Sequence, residues 1–227
     1  MADSADTGAK TQTAEQCPVG EKDCPILDQV RDLRDEVTRL GREVRTDALT
    51  GLFNYRHFSD LLDLEVERAK RSGLPLALII VDLDHFKRLN DGFGHEAGNL
   101  ALRRVADELR LGVRKIDTVC RYGGEELVIL LPGARLPMAV RVAERLRSGI
   151  EQLALEWQGE TMRVTASLGV AVLPSSGASD GASLVRAADE LLYQAKAQGR
   201  NRVEHPALIA EQPETQVTQD EKQALLK

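Results

Sequence analysis

The feature that most constrains the fold is a nearly continuous apolar run from Pro75 to Leu83, which reads Pro-Leu-Ala-Leu-Ile-Ile-Val-Asp-Leu. A run of strand length without polar alternation predicts a strand that is buried on both faces. Helical patterns precede and follow it, at Tyr55 to Arg71 and at Glu96 to Arg114. We therefore expect a central sheet with helices on its two faces.

A predicted hairpin follows in the chain. Its strands are predicted at Thr118 to Arg121 and at Glu126 to Leu131. The tight connection between them contains Gly123 and Gly124, which we expect at the tip, where a positive φ is easily adopted. The remaining predicted elements are a helix, one or two strands and a last helix, at Pro137 to Ile150, Met162 to Leu173 and Ser183 to Gln198. The predicted fold class is α/β with an α+β-like mixed sheet, mostly antiparallel and flanked by helices.

Composition limits both the architecture and the function. A chain of 227 residues with 42% hydrophobic content can bury one substantial core. Its net charge of −6 argues against general nucleic-acid binding, because phosphate backbones are held mainly by clustered Lys and Arg. The chain shows neither an apolar run of about 18 to 20 residues nor the apolar core of a signal peptide. We therefore expect no membrane span and a cytoplasmic location.

The two ends of the chain differ from its middle. Residues 1–24 are polar and lack periodicity, which predicts a disordered leader, and 206–227 is predicted to be a flexible tail. Between the leader and a globular domain at 47–205, apolar residues recur at spacings of four and three, at Ile26, Val30, Leu33, Val37, Leu40 and Val44. This heptad pattern predicts a coiled-coil helix at 25–46 that joins two chains into a homodimer. The alternative is an amphipathic helix that packs on its own domain.

The cysteines fit a reducing compartment. Cys120 lies in an apolar-leaning segment and is expected to be a reduced, packed thiol. Cys17 and Cys24 lack the further Cys or His pair of a structural zinc site. They are either incidental thiols or a redox-sensitive crosslink between neighbouring chains.

Two short motifs suggest a metal-nucleotide site. One is Asp82-Leu83-Asp84-His85-Phe86-Lys87, and the other is Arg121-Tyr122-Gly123-Gly124-Glu125-Glu126-Leu127. Each borders a predicted buried strand. Acidic side chains from two segments would supply the hard oxygen ligands that Mg²⁺ prefers, while the glycines let a backbone approach phosphate groups.

From about Asp47 to Glu204 the chain resembles the GGDEF-domain diguanylate cyclases. The motifs that carry this resemblance stand in order, at Asp47 to Asn54, Asp82 to Asn90, Gly94 to Gly98, Gly123 to Leu127, Leu192 to Lys196 and Gly199 to Asn201. Gly123-Gly124-Glu125-Glu126-Leu127 is the Glu-for-Asp version of the naming motif. The resemblance implies an enzyme that condenses two GTP into cyclic di-GMP and two pyrophosphates, across a homodimer.

The resemblance also implies the catalytic groups. Two Mg²⁺ (or Mn²⁺) ions in each half-site would be held by Asp82, the backbone carbonyl of Leu83 and Glu125. Glu126 is expected to bind metal or to activate the attacking 3′-hydroxyl.

Further residues are assigned to the substrate by the same resemblance. Lys87, Lys196 and Arg200 are expected to bind phosphates, and the backbone amides around His85 and Phe86 to donate to the terminal phosphates. Asn90 and Asn99 are expected at the guanine edge. Asp84 and Asp91 are expected to be structural.

At position 99 the chain departs from the family. Most members carry Asp where this chain has Asn99. A carboxylate can accept from both the N1–H and the amine of guanine, whereas an amide offers one acceptor and one donor. The hypothesis is relaxed base selection with some use of ATP. The alternative is that Asn90 and the shape of the pocket keep GTP preferred.

A second site is implied for the product. Arg114-Lys115-Ile116-Asp117 stands shortly before Gly123, where the family has an inhibitory Arg-x-x-Asp motif. Arg114 and Asp117 are expected to bind cyclic di-GMP, together with Arg145 and Arg141, and to cause feedback inhibition.

Two other functions compete with the enzyme. A catalytically silent receptor for GTP or cyclic di-GMP would fit a degenerate site, but the metal and phosphate residues are all present. A scaffold joined through the coiled coil would leave the acidic residues unexplained.

Overall fold

The computed structural model describes residues 25–43, 45–173 and 180–208. The predicted leader, most of the predicted tail, and both Cys17 and Cys24 lie outside these ranges. The chain divides into two compact units, Met1–Arg45 and Thr46–Lys227.

Within the first unit, helix α1 spans Pro25–Glu43. Pro25 suits the first turn because its fixed φ is helical and its missing N–H would have no partner there. Leu33 and Val37 of the heptad seam are 65% and 67% exposed. The predicted helix is confirmed, and its pairing with a second chain stays a prediction.

The second unit is built on a six-stranded sheet. Its strands are β1 (Phe53–Asn54), β2 (Leu76–Leu83), β3 (Thr118–Arg121), β4 (Glu126–Pro132), β7 (Ala166–Val172) and β8 (Val203–Glu204), and a separate hairpin is formed by β5 (Leu155–Trp157) and β6 (Glu160–Met162). The order in the sheet is β1-β3-β4-β2-β7-β8. The outer pairs β1/β3 and β7/β8 are parallel and the inner pairs are antiparallel. The predicted mixed, mostly antiparallel sheet is confirmed.

Helices cover both faces of this sheet. They are α2 (Tyr55–Ser72), α3 (Phe86–Phe93), α4 (His95–Leu111), α5 (Leu136–Gln152) and α6 (Gly181–Ala197). Every position of β2 is buried, as its unbroken apolar run predicts. Ile79 and Val81 pack in the core with α4 and α5, whereas Leu78 and Ile80 pack in a second cluster with α2 and α6. Because side chains alternate along a strand, Asp82 falls on the α2 and α6 face.

Several short elements were not predicted. These are α3, β1, β8 and the β5/β6 hairpin, while the segment predicted as strand from Met162 to Leu173 is divided between the end of β6 and all of β7. Cys120 is fully buried, which confirms a packed thiol, and burial raises its pKa to about 12. Within the described ranges, no helix combines the length and the apolar character needed to cross a membrane.

Candidate functional site

The two acidic motifs meet at one end of β2. Asp82 of β2 lies directly opposite Glu126 of β4, and the amide of Leu83 donates to the carbonyl of Glu125 at 3.4 Å. Residues opposite each other on antiparallel strands project to the same face of the sheet. The structure therefore brings Asp82, Glu125 and Glu126 together, as the sequence predicts, although their catalytic roles stay predictions.

The carboxylates of this cluster carry more negative charge than their surroundings offset. Asp82 is 6% exposed, and Lys196 Nζ lies 2.8 Å from its Oδ2. Burial raises the pKa of Asp82 even though Lys196 opposes the shift. Burial likewise raises the pKa of Glu125, and the nearby charges of Asp82 and Glu126 raise it further. The site thus favours binding of a cation.

The donors present fit a divalent metal. Carboxylate and carbonyl oxygens from Asp82, Glu125 and Leu83 are the hard ligands that Mg²⁺ takes. In the part of the chain that the structure describes, no three Asp, Glu, His or Cys side chains form a complete metal cluster. Mg²⁺ sites commonly use only one or two carboxylates together with substrate phosphates, and Asp82 and Glu125 supply two carboxylates.

Arg121 holds the glycine hairpin in place. Its Nε and Nη2 donate to the carbonyls of Gly123 and Gly124 at 2.7 to 3.2 Å. Its Nη1 donates to both carboxylate oxygens of Asp47 at 3.1 Å. Asp47 also accepts from the amide and hydroxyl of Thr50. No local sequence pattern indicates this role of Arg121 and Asp47, because only the fold brings together residues that are 74 positions apart.

The hairpin is confirmed, but the expected backbone of its glycines is wrong. The amides of Tyr122 and Gly123 both donate to the carbonyl of Glu126, and neither Gly123 nor Gly124 has a positive φ. A side chain at position 123 would have to displace the carboxylate of Glu126. A Cβ there would lie 2.9 Å from Glu126 Oε2, whereas one at Gly124 would meet nothing within 4 Å.

Asp84 has a structural environment, as expected. Its Oδ1 accepts from the hydroxyl of Ser167 at 2.6 Å. Its Oδ2 accepts from the hydroxyl of Thr165 at 2.7 Å and from the amide of Asn201 at 3.0 Å. Donors from its own chain therefore occupy both oxygens of this buried carboxylate.

The unpredicted helix α3 carries three of the seven expected substrate residues, and a fourth stands immediately before it. His85 adopts a left-handed φ of 55° immediately before the helix, Phe86 is buried, and Lys87 is exposed. A helix N-terminus offers free amides to phosphate. A Cβ on Gly98 of α4 would lie 1.9 Å from Asn90 Oδ1, so the Asn90 side chain rests on the residue next to Asn99. The two residues expected at the base are thus neighbours.

The phosphate-binding candidates near the end of α6 face the same site. Lys196 contacts Asp82, and the positive charge of Arg200 lies near enough to lower the pKa of Asp82. Arg200 follows α6 in a turn with a left-handed φ of 63°.

The expected product site forms a second region. Asp117 Oδ2 accepts from the amide of Arg114 at 2.9 Å, and Arg145 donates to the carbonyl of Gly112 at 2.6 Å. Among the described side chains, Asp117 Oδ1 is buried without a hydrogen-bond partner. Arg141 lies one turn before Arg145 on α5 and contacts Met138 Sδ at 3.8 Å. The structure therefore places Arg145 beside the Arg114 turn.

Comparison with known proteins follows the same motifs. The family model described as "Diguanylate cyclase, GGDEF domain" matches residues 44–202. The chain belongs to the GGDEF family. The GGDEF domain is 43% identical over 159 residues to diguanylate cyclase DgcP of Pseudomonas aeruginosa, across 70% of this chain and 23% of that protein. It is 44% identical over 160 residues to the response regulator PleD of Caulobacter vibrioides, across 70% of this chain and 35% of that protein.

Solved structures agree with this assignment. The coiled coil and GGDEF domain of DgcB from Caulobacter crescentus, in complex with cyclic di-GMP, matches with a TM-score of 0.69 and 30% identity. The match covers 79% of this chain and 95% of that one. The resemblance predicted from the motifs is confirmed. This chain spans 23% and 35% of the lengths of DgcP and PleD. GGDEF diguanylate cyclases use divalent metal ions, which agrees with the oxygen donors of this site.

Proposed function

We propose that this protein is a diguanylate cyclase that condenses two GTP into cyclic di-GMP with release of two pyrophosphates. The observation that carries the proposal is the meeting of Asp82 and Glu125 at the end of β2, beside Lys196. Two carboxylates with raised pKa values, a basic side chain and an open glycine hairpin suit a metal-bound triphosphate. We also propose that the protein acts in the cytoplasm.

Each residue of the site has a role in this reaction. Asp82, Glu125 and the Leu83 carbonyl would hold two divalent cations in each half-site, Mg²⁺ or Mn²⁺. When bound, these ions would neutralise charge at the α-phosphate and make the 3′-hydroxyl more acidic. Glu126 accepts the proton of the 3′-hydroxyl or helps to hold an ion. As the P–O bond to pyrophosphate breaks, Lys87, Lys196 and Arg200 stabilise the phosphate oxygens.

Product formation requires two copies of the domain. Each domain binds one GTP, and two half-sites in antiparallel arrangement complete the ring. The heptad residues of α1 would join two chains and raise the effective concentration of one domain for the other. Exposure of Leu33 and Val37 supports this role, as does the coiled coil in the similar DgcB structure.

The decisive experiment incubates the full chain with GTP and Mg²⁺ and identifies products by mass. We expect cyclic di-GMP and pyrophosphate, with no product when EDTA removes the metal. GTP binding without product would instead support a catalytically silent receptor. Absence of both binding and product would leave only a scaffold.

Asn99 makes the choice of base a separate question. Asn99 lies next to the contact between Gly98 and Asn90. An unpaired guanine donor at this position would cost about 1 to 3 kcal/mol, or roughly tenfold to a hundredfold in affinity. We propose relaxed selection and expect adenine-containing cyclic dinucleotides from equal concentrations of ATP and GTP. In the matched variant Asn99→Asp, this incorporation should fall. Products free of adenine in the wild-type reaction would overturn the proposal.

We propose feedback inhibition through Arg114, Asp117, Arg145 and Arg141. The buried, unpartnered Oδ1 of Asp117 supports a ligand with N–H groups, and DgcB was solved with cyclic di-GMP. Arg114→Ala should raise the product concentration for half-inhibition by roughly tenfold or more while initial rates stay near wild type. Arg110→Ala, which removes an exposed pair with Asp107 on α4, serves as the control. Unchanged inhibition in Arg114→Ala would show that this site is wrong.

A further inference from the structure

The turn after α6 has an unusual backbone. Gly199, Arg200 and Asn201 have φ values of 115°, 63° and 45°. A left-handed backbone is costly for residues that carry a Cβ, so Arg200 and Asn201 keep it only if surrounding contacts hold them. Arg200 is the proposed phosphate-binding residue of this turn. Whatever holds the turn therefore also sets the position of Arg200.

Contacts of Asn201 hold one side of the turn. Its amide donates to Asp84 Oδ2 at 3.0 Å. Its side-chain Nδ2 donates to Glu151 Oε1 at 2.8 Å, and its Oδ1 accepts from Arg147 Nη1 at 2.8 Å. An asparagine side chain satisfied at both ends has a fixed orientation, because exchange of its O and N would place donor against donor.

The partners of Asn201 are themselves fixed on α5. Arg147 and Glu151 are one turn apart, and Arg147 Nη1 donates to Glu151 Oε2 at 2.9 Å. Arg147 Nε donates to Glu144 Oε2 at 3.1 Å, and the Arg147 side chain is only 18% exposed. Planar guanidinium groups held by two carboxylates have little freedom. Helix α5 thus presents a rigid clamp to Asn201.

Both flanks of Arg200 are anchored as well. The amide of Arg200 donates to the carbonyl of Ala195 in α6 at 3.0 Å. The amide of Leu168 in β7 donates to the carbonyl of Arg202 at 2.9 Å. The hydrogen bond from the Asn201 amide to Asp84 also connects the turn to the end of β2. Asp84 is two residues beyond Asp82, so this connection lies beside the proposed metal site. The Arg200 side chain remains exposed toward that site.

We propose that Asn201, clamped by Arg147 and Glu151, is a positioning residue that keeps Arg200 aimed at the triphosphate beside Asp82. This proposal rests on the proposed function, because it assumes a nucleoside triphosphate at that site. None of the three clamp residues touches the substrate. Their contribution is to reduce the conformational freedom that Arg200 would lose on binding.

The test measures binding of a non-hydrolysable GTP analogue and of GMP to the full chain by calorimetry, with Mg²⁺ present. Asn201→Gly removes the clamped side chain while allowing the positive φ. Arg147→Met removes the clamp from α5 and gives a second variant should the first fold poorly. Arg200→Ala and the double variant Asn201→Gly/Arg200→Ala complete a cycle. Arg110→Gln, which breaks the remote exposed pair with Asp107, is the control.

We expect Asn201→Gly and Arg147→Met to lower the affinity for the analogue on the order of tenfold. The affinity for GMP, and the affinities of the control variant, should not change. Arg200→Ala should lower the affinity for the analogue far less in the Asn201→Gly background than in wild type, because the two residues act as a unit. The positioning role would be overturned if both clamp variants bound the analogue with wild-type affinity. It would also be overturned if the affinity for GMP fell equally, or if the losses of affinity in the cycle were additive. A wild-type chain that binds no analogue overturns the proposed function, and this proposal with it.

Discussion

Two carboxylates at the end of β2 differ sharply in what surrounds them. Asp82 and Asp84 are only two residues apart, and both are buried. Hydroxyl and amide donors at fixed positions in the fold occupy both oxygens of Asp84, including those of Thr165 and Ser167. Asp82 faces the ammonium of Lys196, which ends a long and flexible side chain. Burial raises the pKa of the Asp82 carboxyl, because Lys196 and the nearby charge of Arg200 do not offset the lost hydration.

The difference separates a carboxylate that the fold satisfies with hydrogen bonds from one that is available to a ligand. A buried acid whose two oxygens both accept hydrogen bonds from neutral donors stabilises the fold and is less available to a ligand. A buried acid without such donors keeps a charge that a metal ion can neutralise. The same contrast explains why Glu125, whose pKa is raised by burial and by Asp82, belongs with Asp82.

The largest effect is expected from loss of a carboxylate of the proposed metal site. Glu125→Gln keeps the shape of the side chain but removes its charge, so synthesis of cyclic di-GMP should fall by about a thousandfold or more. Initial rates with GTP and Mg²⁺ measure this loss, and Glu160→Gln, an exposed residue of β6, is the matched control. Wild-type rates in Glu125→Gln would contradict the comparison with Asp84. The carboxylate of Glu125 would then have no function in synthesis.

Removal of the satisfied carboxylate should act on stability. Asp84→Ala removes the acceptor of the buried Ser167 hydroxyl and of the partly buried Thr165 hydroxyl, so the free energy of unfolding should fall by about 3 kcal/mol. Asp82→Asn should change it by about 1 kcal/mol or less, because loss of the Lys196 pair is offset by relief of a buried charge. Urea denaturation without metal measures both. Equal losses in the two variants would contradict the contrast between these residues.

A smaller effect on stability is expected at a third carboxylate, that of Asp47. It lies at the N-terminal end of the domain and, like Asp84, accepts hydrogen bonds from fixed donors. Although burial acts in the opposite direction, hydrogen bonds from Thr50 and Arg121 lower the pKa of Asp47. This stabilisation is present above the pKa of the unfolded chain and is lost as pH falls through the lower folded value. Asp47→Asn should therefore lower the free energy of unfolding by about 1 kcal/mol at neutral pH. On acidification this variant should lose less stability than the wild type loses.

Unfolding midpoints across the acidic range check the prediction for Asp47. Asp60→Asn on α2, an exposed aspartate, is the control. Parallel pH curves for Asp47→Asn and wild type would show that the Asp47–Arg121 pair does not contribute in this way.

Sequence patterns predicted the long elements and the acidic cluster, and they missed what depends on distant partners. Helix α3 has only eight residues, and two turns with Phe86, Leu89 and Phe93 at helical spacing are too short for the sequence pattern alone to predict a helix. The role of Arg121 depends on Asp47, and that of Asn201 on Arg147. Those residues are separated by 74 and 54 positions, so no local pattern marks them as pairs.

By itself the sequence determined that β2 is a central strand, because only burial on both faces suits an unbroken apolar run of that length. It also determined that carboxylates follow this strand and the glycine pair. Only the tertiary structure decided which carboxylate is available. Donors from Thr165, from β7 and from the turn after α6, 81 to 117 residues further along the chain, reach Asp84 and leave Asp82 with Lys196. The number of donors around a buried acid depends on the packing of distant segments, and that packing exists only in the folded chain.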